Sequence, residues 1–175
     1  MKPTDVNLDR TPSALSYYRP CVGAMLFNDQ GLVWVGKRIS EGNDLDYAWQ
    51  MPQGGIDAGE PPRKAVLREL LEETGTANAR IVRESAQWFS YDLPENLLRN
   101  SPKSTFRGQI QKWFALRFNG EDYEFRLDTH DKPEFSTWAW VNLEEVPELI
   151  VPFKRDVYKN VVEEFKDLPE RIINE

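Results

Sequence analysis

The chain has 175 residues, 40% of them apolar and 29% charged, with a mean hydropathy of −0.62; this suits one domain with a sizeable core and is too short for two full ones. No apolar run approaches the ~18 residues needed to span a bilayer, the start Met1-Lys2-Pro3-Thr4-Asp5 lacks the apolar core of a signal peptide, and Cys21, the sole cysteine, excludes an intrachain disulfide. A cytoplasmic protein is expected, and its net charge of −7 argues against sequence-independent gripping of a long phosphate backbone, which needs a basic surface.

In chain order, residues 1–16 are polar, contain Pro3 and Pro12, and read as an arm; residues 17–170 read as the folded domain. Residues 18–27 and 32–38 are β-rich and joined by Asn28-Asp29-Gln30-Gly31, a turn signal that predicts a hairpin. A polar, acidic loop follows over 40–47, then a short strand over 48–51 that ends at Pro52 and a Gly54-Gly55 turn. Pro61 and Pro62 suit a first helical turn and Gly75 a left-handed helix end, so a helix of about three turns is predicted between them. Residues 79–91, 109–119 and 136–142 read as strands, and 92–108 as a polar loop with a short helical turn. Val157, Tyr158, Val161, Val162 and Phe165 recur at helical spacing and predict a C-terminal amphipathic helix. Strands with helices covering a mixed sheet point to an α/β/α sandwich.

The central helix carries acid in the wrong place for stability. At 100° per residue, Val66, Leu67, Leu70, Leu71 and Thr74 fall on a packing side, while Glu69, Glu72 and Glu73 cluster on the other. Glu69 and Glu73 form a like-charged i,i+4 pair costing roughly 0.2–0.5 kcal/mol, and all three acids lie toward the C-terminal end, where the macrodipole disfavours anions. A solvated acidic face with Arg68 as partial compensation would be the plain explanation for an arbitrary Glu pair. Three carboxylates at i, i+3 and i+4, however, form a hard oxygen cluster suited to Mg²⁺, with Mn²⁺ as the alternative, and offer little to Zn²⁺ or copper.

Other chemistries have less footing. His130 is the sole histidine and lies in the polar segment Asp128-Thr129-His130-Asp131, so a Ser/His or Cys/His mechanism would rest on one loop residue. No Gly-Lys-Ser/Thr ending supplies a P-loop, and no Cys or His cluster supplies a zinc site.

The segment Gly54-x5-Glu60-x7-Arg68-Glu69-Leu70-x-Glu72-Glu73-x-Gly75-Thr76 resembles the Nudix box at every fixed position. Thr76 departs from the bulky aliphatic usual at the last place. Further segments are similar to the bacterial RNA pyrophosphohydrolase and dinucleoside polyphosphate hydrolase branch of that family: Tyr18-Arg19-Pro20-x-Val22-Gly23, Gln109-x-Gln111-Lys112-Trp113-Phe114, Pro133-Glu134-Phe135-x-x-Trp138-x-Trp140-Val141 and Phe153-Lys154-Arg155-Asp156-Val157-Tyr158. The resemblance implies the same α/β/α fold and hydrolysis of a pyrophosphate bond, converting the 5′-triphosphate end of RNA to a 5′-monophosphate and so promoting mRNA decay. A diadenosine polyphosphate hydrolase is the nearest alternative. A non-catalytic nucleotide sensor on the same scaffold is the alternative from another class, although such a protein is expected to have lost acids that are all present here.

By the same resemblance, Glu69, Glu72, Glu73 and Glu134 hold the divalent cation, Glu73 or Glu134 takes a proton from water, Arg68 orients the carboxylates and Glu60 braces the loop. Arg19, Arg38, Tyr91, Gln109, Lys112 and Lys154 would surround phosphates and base, with Phe153 stacking on a base and Val151 on its opposite side. Cations are a chemical requirement near a triphosphate, yet Lys and Arg at strand ends are usually solvated. Lys112 has a structural role as its competing explanation, and Phe153 a hydrophobic staple to the helix after it.

Overall fold

A computed structural model describes residues 17–39, 48–100 and 105–175. The arm expected over 1–16 and the acidic loop over 40–47 lie outside the described residues. Among the described residues, seven strands and five α-helices follow in the order β1 (Tyr18–Phe27), β2 (Val33–Arg38), β3 (Trp49–Gln50), β4 (Gln53–Gly55), α1 (Pro62–Thr74), β5 (Ala79–Asp92), α2 (Glu95–Asn100), β6 (Gly108–Phe118), β7 (Phe135–Val141), α3 (Val146–Leu149), α4 (Arg155–Phe165) and α5 (Leu168–Ile173). The strands form one mixed sheet in the order β3-β2-β1-β6-β5, with β4 also paired to β1 and β7 to β2. The β1–β6 pair is parallel, in register from Tyr18↔Gly108 to Phe27↔Arg117, and the other pairs are antiparallel.

Alternation along the strands fills two cores on opposite faces of the sheet. On β6, Trp113 and Ala115 join a core with Tyr158, Val161 and Phe165 of α4 and Leu168 and Ile172 of α5. Phe114, Leu116 and Phe118 join the other, with Ala65, Val66 and Leu70 of α1. Helices on both faces make the α/β/α sandwich that the sequence predicts.

Four local expectations are corrected. The β1–β2 hairpin turns as predicted, with the Asn28 side chain accepting from the N–H groups of Gln30 and Leu32 and Gly31 at φ 71°, but the two strands pair only at Phe27↔Val33. β4 occupies the same edge of β1 further back and Ala24 N–H donates to Pro52 O at 2.8 Å, so β2 instead runs along β7. The predicted Gly54-Gly55 turn is extended strand. On α1 the packed stripe is Ala65, Val66, Leu70 and Thr74, while Leu67 and Leu71 are 40% and 47% exposed; a helix lying on a sheet buries a narrower sector than the one drawn from sequence. Finally, α5 continues the α4 layer and carries the packed chain past residue 170.

Thr76 is buried, accepting from Asn78 N–H at 3.1 Å and standing 3.4 Å from a Glu124 carboxylate oxygen, so the position normally given to an aliphatic side chain holds a small polar network here. Lys112 donates to the backbone carbonyl of Ser85, where the β5–β6 register shifts, and its role is structural.

Gly23 lies under the fully buried Trp113 ring, and a Cβ added there would come within 2.5 Å of ring atoms. Gly23→Ala is therefore expected to destabilise the fold by about 1–3 kcal/mol through overpacking. A lowered urea midpoint at unchanged m value would confirm this, and an unchanged midpoint would contradict the packing described.

Candidate active site

The acidic helix is held at the sheet by its punctuation. Pro61 stands at the N-cap and Pro62 begins the helix, while Gly75 at φ 77° closes it with its N–H on Leu71 O at 2.9 Å. Burial of Ala65, Val66, Leu70 and Thr74 leaves Glu69, Glu72 and Glu73 at the seam between α1 and β4. Gly54 leaves room there for the Glu69 carboxylate, which a Cβ would displace from the strand. Gln53 N–H donates to Glu73 Oε2 at 3.1 Å.

Arg68 ties this seam together with all five of its N–H donors. Nε and Nη2 make a two-pronged pair with Glu60, both at 2.8 Å. Nη2 also donates to Gly55 O at 2.8 Å, and Nη1 to Glu69 at 2.8 Å and Glu72 at 3.3 Å. The guanidinium, with help from the Asp57 N–H, holds the Glu60 carboxyl down to about 2 from its ordinary 4.5. Burial raises Glu69, with Arg68 opposing the shift. Glu73 is raised well above the usual carboxylate range, first by burial and then by the negative charges of Glu134 and Glu69.

Glu134 is the residue just before β7. The β2–β7 register sets Arg38 opposite Phe135, so Glu134 and Arg38 meet in an ion pair at 3.2 Å, both about half exposed. Arg38, expected to face phosphate, thus already has a carboxylate partner.

Two cavities meet at the carboxylates. One, of about 430 Å³, is lined by Glu69, Glu73 and Glu134 together with Arg19, Arg38, Tyr91, Gln109, Phe153 and Lys154. Arg19 and Tyr91 each pair with Gln109 across neighbouring strands, which explains their convergence. The turn Pro152–Lys154 runs straight into α4 and leaves Lys154 buried at the helix start, 5.5 Å from the Tyr91 ring centroid and 5.9 Å from that of Phe153. Burial, reinforced by the positive charge of Arg38, lowers Lys154 to about 8. The Tyr91 hydroxyl is buried and, among the described residues, accepts or donates no hydrogen bond. The other cavity, of about 480 Å³, is lined by Glu69, Glu72, Glu73 and Glu134 and by His130, Asp131 and Lys132.

Of the residues expected from sequence, Arg68 and Val151 line neither cavity: Arg68 reaches the site through Glu69 and Glu72, and Val151 packs half-buried against the core. The apolar positions lining the first cavity with Phe153 are Leu93 and Leu97, beside the buried Gln50. Sequence reasoning missed these three and Lys132. Leu93, Leu97 and Lys132 come from the segments around α2 and before β7, which show no periodicity. The Gly55 carbonyl, which borders the carboxylates, is taken by Arg68.

The donor set fits a hard divalent cation, since Glu69, Glu72, Glu73 and Glu134 face one cavity that has no sulfur ligand, and a cation there would relieve the burial and like-charge repulsion that raise Glu73. Among the described residues no three acids or histidines form a ready-made metal cluster. Glu69 and Glu72 are instead turned to Arg68 and Glu134 to Arg38.

Because the folded-state pKa of Glu60 is depressed, its pairing with Arg68 stabilises fully above about pH 4.5 and is lost as pH falls toward 2. The stability difference between wild type and Glu60→Gln is expected to be constant above pH 5 and to shrink on acidification through that window, read from urea midpoints. A pH-independent difference would show that the pair is not ionic.

The NUDIX domain model matches residues 17–161. The chain is 56% identical over 153 residues to an RNA pyrophosphohydrolase of Novosphingobium aromaticivorans, covering 86% of this chain and 94% of that protein. It is 50% identical to the RNA pyrophosphohydrolase of Agrobacterium fabrum, at 86% and 93% coverage. Among solved structures the fold is similar to a MutT protein from Methanosarcina mazei Go1, with TM-score 0.61, 23% identity and 86% and 96% coverage. It is also similar to a C. elegans Ap4A hydrolase, with TM-score 0.59, 16% identity and 83% and 96% coverage. With the fixed residues of the box in place from Gly54 to Gly75 and the family model covering the whole sheet, α1 and the first part of α4, this chain belongs to the Nudix family of hydrolases.

Proposed function

We propose that this protein is a cytoplasmic RNA pyrophosphohydrolase that converts the 5′-triphosphate end of RNA to a 5′-monophosphate, releasing pyrophosphate and opening the transcript to decay. The observation that carries the reading is the meeting of a carboxylate cavity with one lined by cations and aromatic rings. That combination suits a substrate with an anhydride at one end and a base at the other. Support comes from relatives named RNA pyrophosphohydrolase that align over nearly their whole length.

A divalent cation, Mg²⁺ before Mn²⁺, would be held by Glu69, Glu72, Glu73 and Glu134; when bound, it supplies Lewis-acid stabilisation of phosphoryl charge and eases deprotonation of water. Arg68 acts through the carboxylates, fixing Glu69 and Glu72 while bracing the loop through Glu60. Hydrolysis adds one water across the anhydride. The water oxygen stays on one phosphoryl group, the bridging oxygen leaves with the other, and a carboxylate takes the proton. Glu73 suits that last role: one of its oxygens is fixed by Gln53 N–H, the other is free to face the cavity, and burial raises its proton affinity. Lys154, Arg19 and Gln109 orient phosphates. Tyr91 brings a hydroxyl in need of a partner, and Phe153 gives a base a stacking face. A cavity of this size would hold one end of an RNA rather than a length of backbone, which reconciles an RNA substrate with net acidity.

The test is a Mg²⁺-dependent assay of a short 5′-triphosphorylated RNA beside diadenosine tetraphosphate at equal concentration. The RNA is expected to be cleaved faster. Glu73→Gln should lose about 10²–10⁴-fold in kcat, and Phe153→Ala should raise KM roughly tenfold with kcat nearly kept. Faster cleavage of the dinucleotide would make RNA a secondary substrate, and full activity of Glu73→Gln would remove it from the chemistry.

A further inference from the structure

The cavity beyond the carboxylates has no role in holding a nucleoside, and its composition suggests another. It shares Glu69, Glu73 and Glu134 with the nucleotide-facing cavity, so the two lie on either side of one carboxylate wall. The inner side has the aromatic rings and Leu93 and Leu97. The outer side, of about 480 Å³, has no aromatic ring beyond the His130 imidazole, and its one permanent cation is Lys132. Lys132 is exposed and, among the described residues, enters no ion pair or hydrogen bond, whereas Arg38 and Arg68 nearby are committed to carboxylates. An uncommitted ammonium facing four carboxylates is placed where a multiply charged anion would otherwise meet only repulsion.

We propose that Lys132, with His130 beside it, forms an exit-side site for inorganic pyrophosphate or the terminal phosphates of the substrate. This deepens the reading as a pyrophosphohydrolase and rests on it. If the nucleoside end occupies the inner cavity and the bond breaks at the wall, the phosphates bearing no base lie outside it. They call for cations and hydrogen-bond donors, not a stacking surface. Lys132 supplies a point charge on a flexible stem, suited to a group that must be held and then released. His130 adds a ring N–H. Asp131, on the same loop, opposes a bare anion, so the species bound is pyrophosphate complexed with Mg²⁺.

The experiment is isothermal titration of the wild-type protein, Lys132→Ala, Lys132→Arg and Lys159→Ala with inorganic pyrophosphate in saturating Mg²⁺, and separately with adenosine monophosphate. Lys159 is an exposed lysine of α4 outside both cavities. Lys132→Ala is expected to weaken pyrophosphate about tenfold, Lys132→Arg to retain most of the affinity, and adenosine monophosphate binding to be unaffected by either. Lys159→Ala should match wild type. Equal pyrophosphate affinity in wild type and Lys132→Ala, or equal weakening of both probes, would overturn the proposal. Cleavage of 5′-triphosphorylated RNA by the wild type, measured alongside, separates the two claims. Cleavage with unchanged pyrophosphate binding fails the site alone, whereas no cleavage fails the RNA reading whatever the titration gives.

Discussion

The five-donor engagement of Arg68 is the interaction on which the site depends. Three carboxylates gathered along one side of a helix, far from its N-terminus, are disfavoured by mutual repulsion and by the helix dipole. One guanidinium bridges Glu60, Glu69, Glu72 and the Gly55 carbonyl, and so connects the loop before α1, the helix and the edge strand β4. Such charge-assisted bonds are worth about 1.5–3 kcal/mol each when shielded, against a few tenths for each helix repulsion. The balance therefore favours the ordered cluster, and Arg68, itself only 28% exposed, is shielded enough for part of that to be realised.

The glycines of β4 follow from the same constraint. Gly54 is extended backbone, with no left-handed conformation to explain it. Its lack of a side chain lets the Glu69 carboxylate lie against the strand. The Gly55 side-chain position is filled by the Arg19 guanidinium. One helix–strand contact thus places an acid on one side and a cation on the other. The parallel β1–β6 pair then carries Gln109 to Arg19, and β5 carries Tyr91 to Gln109. The cation-lined cavity is a product of strand register around a fixed acidic seam.

Much of this was legible in the sequence where local chemistry and tertiary structure agree. Pro61, Pro62 and Gly75 bound α1 as their backbone preferences dictate, and the motif led to Arg68, Glu69, Glu72 and Glu73 as one unit. The misreadings arose where long-range contacts override local signals. Gly54-Gly55 has the composition of a turn but serves close approach, and β2 leaves its hairpin because β4 takes the adjacent edge. Leu67 and Leu71 have core chemistry but face solvent, since a sheet covers only a narrow stripe of helix. Leu93, Leu97 and Lys132 come from aperiodic segments whose position depends on the whole sheet.

The central claim is that the acids around α1 form a divalent-cation site. Its most direct measurement is a calorimetric titration of Mn²⁺, with Mg²⁺ as competitor, into the wild-type protein and into Glu69→Gln, Glu73→Gln and Glu84→Gln, the last altering a surface acid paired with Arg63 away from the seam. The account predicts saturable binding by wild type and Glu84→Gln and a loss of about tenfold or more in affinity for Glu69→Gln and Glu73→Gln. Equal affinity across all four proteins would mean that the cation binds elsewhere and that the acidic face of α1 is not a metal centre.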